Sequence, residues 1–176
     1  RDLHSSPTRR SSDLSLFAAS LSELIASYKE QTGSEKVVLT GCSNGGYMTL
    51  VLAKEDPEAY DVLVPICGPL DEKYVSDDQL EALKDKPMFF IWSKADTTVI
   101  PETFELPLIK RLQEAEASDL HIFNPDNVVD TSGRFTADDG SAYEYNGHWS
   151  WIYFFNDEAV DEDGLGCWDF IADRVK

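Results

Sequence analysis

Positive charge is what this chain lacks most. Lys and Arg number 15 against 33 Asp and Glu, which leaves a net charge of −18. Such a surface repels phosphate backbones and argues against a nucleic-acid partner. The acids are spread through polar stretches such as Asp71–Glu72, Asp77–Asp78 and Asp161–Glu162–Asp163, the pattern of a solvated face. Long hydrophobic runs are also missing, so nothing here reads as a membrane span. Cysteine is scarce: Cys42, Cys67 and Cys167 form no CxxC pair, which excludes a zinc ribbon. Buried free thiols are expected, although one disulfide with a cysteine left over is compatible with the count. No internal repeat is present. Asp161-Glu162-Asp163-Gly164 lacks the EF-hand order of ligands, and no metal site is expected.

The N-terminus is of a different character. His4–Leu14 (HSSPTRRSSDL) resembles one translated frame of a common sequencing adapter. Residues 1–14 are therefore expected to be a non-native leader, and residues 15–176 a single domain. Compartment and oligomeric state are left open.

Phe17, Leu21, Leu24, Ile25 and Tyr28 recur with helical spacing, and Gly33 suits the helix end. A strand is expected at Lys36–Thr40, apolar on both faces like a central parallel strand. A helix over Tyr47–Lys54 follows, stopped by Asp56–Pro57. Three further strands are expected at Asp61–Ile66, Met88–Trp92 and Leu120–Phe123. Helices near Asp77–Leu83 and Phe104–Ala115 separate them, and a closing helix carries Trp168, Phe170 and Ile171. This alternation predicts an α/β class, a mostly parallel sheet flanked by helices. The long polar region Asn124–Gly147 interrupts it, with a hairpin expected about Asp139–Gly140.

The most informative stretch is VVLTGCSNGGYMT, residues 37–49. Gly41 and Gly46 have P-loop spacing, but Tyr47 and Met48 stand where a phosphate site needs Lys and Ser/Thr. The dinucleotide pattern also fails, because Ser43 occupies its second glycine position. What fits is G-x-S-x-G between a strand and a helix, a turn that lifts Ser43 above the sheet edge as a nucleophile. Gly41 and Gly45 are expected to be small because they approach each other. The Asn44 N–H is expected to donate to an oxyanion.

Serine needs a base, and the base needs an orienting acid. His4 lies in the leader and His121 inside a strand. His148, in a loop beside Trp149, is the candidate base, with Trp149 a candidate substrate contact. Asp96, after MFFIW, is the candidate acid, and Asp126 is its rival. The order Ser43, Asp96, His148 is that of α/β-hydrolases rather than of the other serine-triad folds. Cys42 is not expected to be a nucleophile, since it points away from the raised serine.

From Val37 onward the chain resembles the catalytic half of the α/β-hydrolase superfamily. GCSNGGYMT, the strand-end CGP, KADTTVIP and GHWSWIYFFND look like prolyl-oligopeptidase-like peptidases and polyhydroxybutyrate-depolymerase-like esterases. That resemblance implies Ser43, Asp96 and His148 as nucleophile, acid and base, no cofactor, and a small ester or peptide substrate. Ser93 departs from the glycine usual in the acid loop. The first strands and the second oxyanion donor are expected upstream of Ser15, so this segment alone is expected to be weakly active or inactive. A non-catalytic binding domain and an acyltransferase are the alternatives.

Overall fold

The computed structural model describes residues 7–176, with side chains from Phe17 onward. His4 and the first part of the expected leader lie outside the described residues. Four strands alternate with helices: α1 (Pro7–Thr32), β1 (Val38–Cys42), α2 (Asn44–Glu55), β2 (Val62–Ile66), α3 (Asp77–Leu83), β3 (Met88–Ile91), α4 (Glu105–Glu114) and β4 (Leu120–Phe123). Two helices close the chain, α5 (Trp151–Phe155) and α6 (Cys167–Arg174). The strands form one sheet in the order β1-β2-β3-β4, and every pairing is parallel.

Side-chain alternation along the strands builds two cores. Leu63, Met88, Phe90 and Trp92 face α2, α3 and α4, whose Leu50, Leu83, Leu108 and Leu112 complete that layer. Val62, Val64, Ile66, Phe89 and Ile91 face the other way, onto Tyr153 and Phe154 of α5 and Phe170 and Ile171 of α6. β2 and β3 are buried throughout, as parallel strands covered on both faces should be. Pro65 stands in central β2. Leu63 N–H bonds to Pro87 O and Cys67 N–H to Ile91 O, so proline removes the rung that would lie between them.

Among the described strands β1 lies at an edge of the sheet, and its Thr40 is exposed. One expectation is corrected. On α1, the five-residue stripe does not face the core as a unit. Ala18, Leu21 and Ile25 pack inward, while Phe17, Leu24 and Tyr28 are exposed. At about 100° per residue, the packed side is rotated from the 17-24-28 line toward Leu21 and Ile25. The Ser22 hydroxyl, on the packed side, hydrogen-bonds the Tyr60 hydroxyl at 3.2 Å. The hairpin is present: Thr136 bridges Ala142, and Gly140 takes φ 84° in the turn. No helix among the described residues is long and apolar enough to cross a membrane.

Candidate active site

β1 stops at Cys42 and α2 starts at Asn44, which leaves Ser43 alone at the turn. Its backbone is strained, φ 56° and ψ −114°, in a region that a β-carbon disfavours. The surroundings hold it there. Ser43 N–H donates to Ile66 O at 2.9 Å, and Tyr47 N–H donates to Ser43 O at 2.9 Å. Glycine makes the close packing possible. A β-carbon on Gly41 would lie 2.6 Å from the Gly45 carbonyl carbon, and one on Gly46 would lie 2.5 Å from Ile66 O. Gly68, in the strand-end CGP, is pressed equally hard against Gly46. Gly45 corrects its expectation, since a β-carbon there meets nothing within 4 Å. The steric demand falls on Gly41, Gly46 and Gly68. Asn44 is exposed at the head of α2, where helix geometry leaves its N–H without an intrahelical partner.

The acid and base candidates meet. Asp96 is buried in the loop after β3, and its Oδ1 accepts the Thr98 and Val99 N–H groups at 2.8 and 2.9 Å. Its Oδ2 lies 2.7 Å from His148 Nδ1. The asymmetry favours one tautomer: Asp96 Oδ2 accepts a hydrogen bond from Nδ1–H, and Nε2 is left free of hydrogen bonds among the described residues. Gly147 allows the approach, because a β-carbon there would sit 2.2 Å from Ala95 O. Asn146 Oδ1 accepts the His148 N–H at 2.9 Å, and Trp151 packs edge-on against the imidazole at 5.4 Å. Asp126 is not brought to the histidine. It is exposed and pairs with Lys94 at 2.8 Å, which holds its carboxyl below the usual range. Ser93 is buried, and its Oγ accepts the Ala95 N–H at 3.2 Å, so the hydroxyl braces the acid loop.

Cys67 ties the two halves together. It follows β2, takes φ 40°, and its thiol donates to the His148 carbonyl at 3.5 Å. Donor atoms of Cys67, Asp96 and His148 lie within 4.8 Å of one another, a compact set that could reach one metal ion. Burial pushes the Cys67 thiol up to about 12, which keeps it protonated and inert at neutral pH. Cys42, half-buried, is raised for the same reason, and all three cysteines are free.

This arrangement has relatives. Residues 11–84 match the sequence model of the prolyl oligopeptidase family. A thermostable esterase superposes with a TM-score of 0.57 at 24% identity, over 78% of this chain and 34% of that one. Esterase PE8 superposes with a TM-score of 0.55 at 24% identity, over 79% of this chain and 62% of that one. The chain has the α/β-hydrolase fold. It spans less than two thirds of either esterase's length. No curated protein matches it.

In this hydrolase fold the remaining candidates take distinct places. Trp149 is 44% exposed and stands beside Tyr145 and Trp151, with ring centroids 6.2 and 6.5 Å away. His121 is not at the site. Its Nδ1 meets Asp161 at 2.6 Å and its Nε2 meets Asp119 at 3.0 Å. Asp161 also accepts the N–H groups of Asp163 and Leu165, so the acidic turn's first carboxylate is spent on internal bonds. Sequence reasoning missed Glu105, the first residue of α4. It is 3% exposed, and neither carboxyl oxygen has a hydrogen-bond partner among the described residues. Its only signal was an acid leading an apolar helical face at Leu108 and Leu112.

Proposed function

We propose that this chain carries the catalytic centre of a serine hydrolase that cleaves carboxylic esters or peptide bonds. The observation that carries the reading is the buried Asp96–His148 pair, with Nε2 left free, at the same sheet edge as the strained Ser43 turn. His148 Nε2 takes the proton from Ser43 Oγ as that oxygen attacks the substrate carbonyl carbon. Negative charge moves to the carbonyl oxygen, where the Asn44 N–H and the positive end of α2 receive it. The imidazolium then gives its proton to the departing alcohol or amine, leaving an acyl group on Ser43. Water attacks the acyl carbon, His148 takes the water proton, and the acid leaves as Ser43 is reprotonated. Asp96 holds the Nδ1–H throughout and stabilises the imidazolium. Trp149, exposed beside the base, is assigned a contact to the substrate.

Hydrolysis of p-nitrophenyl acetate by the whole protein that carries this segment, and by its Ser43→Ala variant, tests this. The variant is expected to lose turnover by about 10⁴-fold or more. Equal rates would remove the assignment.

A further inference from the structure

Tyr143, Tyr145, Trp149 and Trp151 form a row of rings that ends at His148. Tyr143 and Tyr145 pack edge to face with centroids 5.1 Å apart. Tyr145 meets Trp149 at 6.2 Å with 34° between the planes, and Trp149 meets Trp151 at 6.5 Å with 33°. Trp151 reaches the imidazole of His148 at 5.4 Å. Each spacing lies within the range in which aromatic rings attract one another. Burial does not explain the row. Tyr143 is 46% exposed and Trp149 44%, and Tyr145 and Trp151 are only half-buried. The pairs that serve the core look different, since Phe123 packs on buried Tyr153 and Phe89 on buried Phe170. The backbone holds the outer rings in place. Tyr143 O accepts the Asp130 N–H at 2.7 Å, its N–H donates to Phe135 O at 3.1 Å, and Tyr145 N–H donates to Val128 O at 2.7 Å. The Tyr145 hydroxyl donates to Asp130 Oδ1 at 3.1 Å. A ligand ring therefore meets rings that are already ordered, and little freedom is lost on contact.

Resting on the serine-hydrolase reading, we propose that this row is the subsite for the leaving group, and that it favours an alcohol or amine carrying a neutral aromatic ring. Chemistry decides which half of the substrate is concerned. The imidazolium hands its proton to the departing oxygen or nitrogen, so the departing group lies against His148. The acyl half stays bonded to Ser43, with its oxygen at the Asn44 N–H. A row that meets the base at Trp151 and continues through Trp149 to Tyr145 and Tyr143 therefore borders the leaving group. Exposed π faces select a flat ring over a saturated one of the same size. The net charge of −18 disfavours an anionic group on that ring.

The whole protein that carries this segment is assayed on two pairs of esters. Benzyl and cyclohexylmethyl acetate differ in the aromaticity of the leaving alcohol, and ethyl phenylacetate and ethyl cyclohexylacetate in that of the acyl group. The parent is expected to favour benzyl acetate about three- to tenfold in kcat/KM. Trp149→Leu and Tyr143→Leu bring that ratio toward one and leave the acyl-pair ratio as it is in the parent. Phe155→Leu, at an exposed ring off the row, keeps both ratios. A parent ratio of one, a preference that survives in both row variants, or a loss confined to the acyl pair overturns the proposal. Binding is read without turnover from the Trp149 indole N–H resonance, identified by its loss in Trp149→Leu. Benzyl alcohol is expected to shift it, and cyclohexylmethanol to leave it unmoved. If the parent hydrolyses none of the esters but shows the benzyl alcohol shift, the aromatic subsite stands and the hydrolase reading falls. If benzyl alcohol leaves the resonance unmoved, the proposal falls.

Discussion

Two histidines in this molecule face buried aspartates in nearly the same way, and only one is proposed to act as a base. His148 Nδ1 lies 2.7 Å from Asp96, and His121 Nδ1 lies 2.6 Å from Asp161. Each also lies against an aromatic ring, Trp151 for His148 and Phe170 for His121. The second nitrogen separates them. His121 Nε2 is held by Asp119, itself gripped by Arg174, so both nitrogens are committed to structure. His148 Nε2 has no hydrogen-bond partner among the described residues, and its ring sits at the sheet edge that carries the strained serine. A His–Asp contact is therefore no evidence of catalysis by itself. What matters is the free nitrogen and what stands next to it.

The strongest way to break this comparison is to exchange both histidines for glutamine. His148→Gln is expected to lower kcat by about 10⁴-fold or more, and Asp96→Asn by about 10⁴-fold through loss of the correct tautomer. His121→Gln is expected to keep turnover and to unfold about 2–4 kcal/mol more easily, because Asp161 is left buried without its partner. Rates with p-nitrophenyl acetate and urea melts separate the two outcomes. Equal loss of turnover in both histidine variants would contradict the division.

Gly147→Ala tests the same contrast through the backbone. Its β-carbon would meet Ala95 O and push His148 away from Asp96. Turnover is expected to fall by about 10²-fold, with a stability loss of about 1–3 kcal/mol. Gly45→Ala, where a β-carbon meets nothing within 4 Å, is expected to be tolerated and to stabilise α2 by up to about 1 kcal/mol. An inactive Gly45→Ala with an active Gly147→Ala would reverse this account of the site.

The two regions also differ in pH dependence. Arg174 foremost, with His121, holds Asp119 below the usual carboxylate range. Burial opposes charge on Asp161, but His121 and the Leu165 N–H outweigh it and lower that group too. Lowered carboxyls stabilise the fold above their unfolded value of 3.8, and that stability is lost as pH falls through the folded values. Glu105 has the opposite sign. Raised from 4.5 to about 8, it contributes stability that is full below pH 4.5 and lost as pH rises through 8. Glu105→Gln is thus expected to gain on the parent between pH 5 and pH 8, by on the order of a few kcal/mol in urea melts. A pH-independent difference would contradict the assignment. The smallest effect is expected at the exposed Lys94–Asp126 pair, where Asp126→Ala should leave turnover unchanged.

Much of this was legible in the sequence because the signals are local. Strand and helix alternation followed from runs such as DVLVPI and MFFIW, and α3 and β4 fall where their patterns put them. G-x-S-x-G predicted the serine turn, but position along the chain left Asp126 a rival to Asp96, and only the contact with His148 separates the two. The rest depends on contacts between distant segments. That Gly68 must be small follows from Gly46, and the need for glycine at 147 follows from Ala95. Neither shows in spacing along the chain. The facing side of α1 and the isolation of Glu105 were hidden for the same reason, since both depend on what packs against them.

The central claim is that Ser43 is a nucleophile activated by His148. Labelling with a fluorophosphonate probe, followed by mass spectrometry of the peptides, tests it most directly. The account predicts one adduct, on the peptide carrying Ser43, formed by the parent and abolished in His148→Gln. An adduct that forms equally in His148→Gln, one carried by another residue, or none on the parent would contradict it.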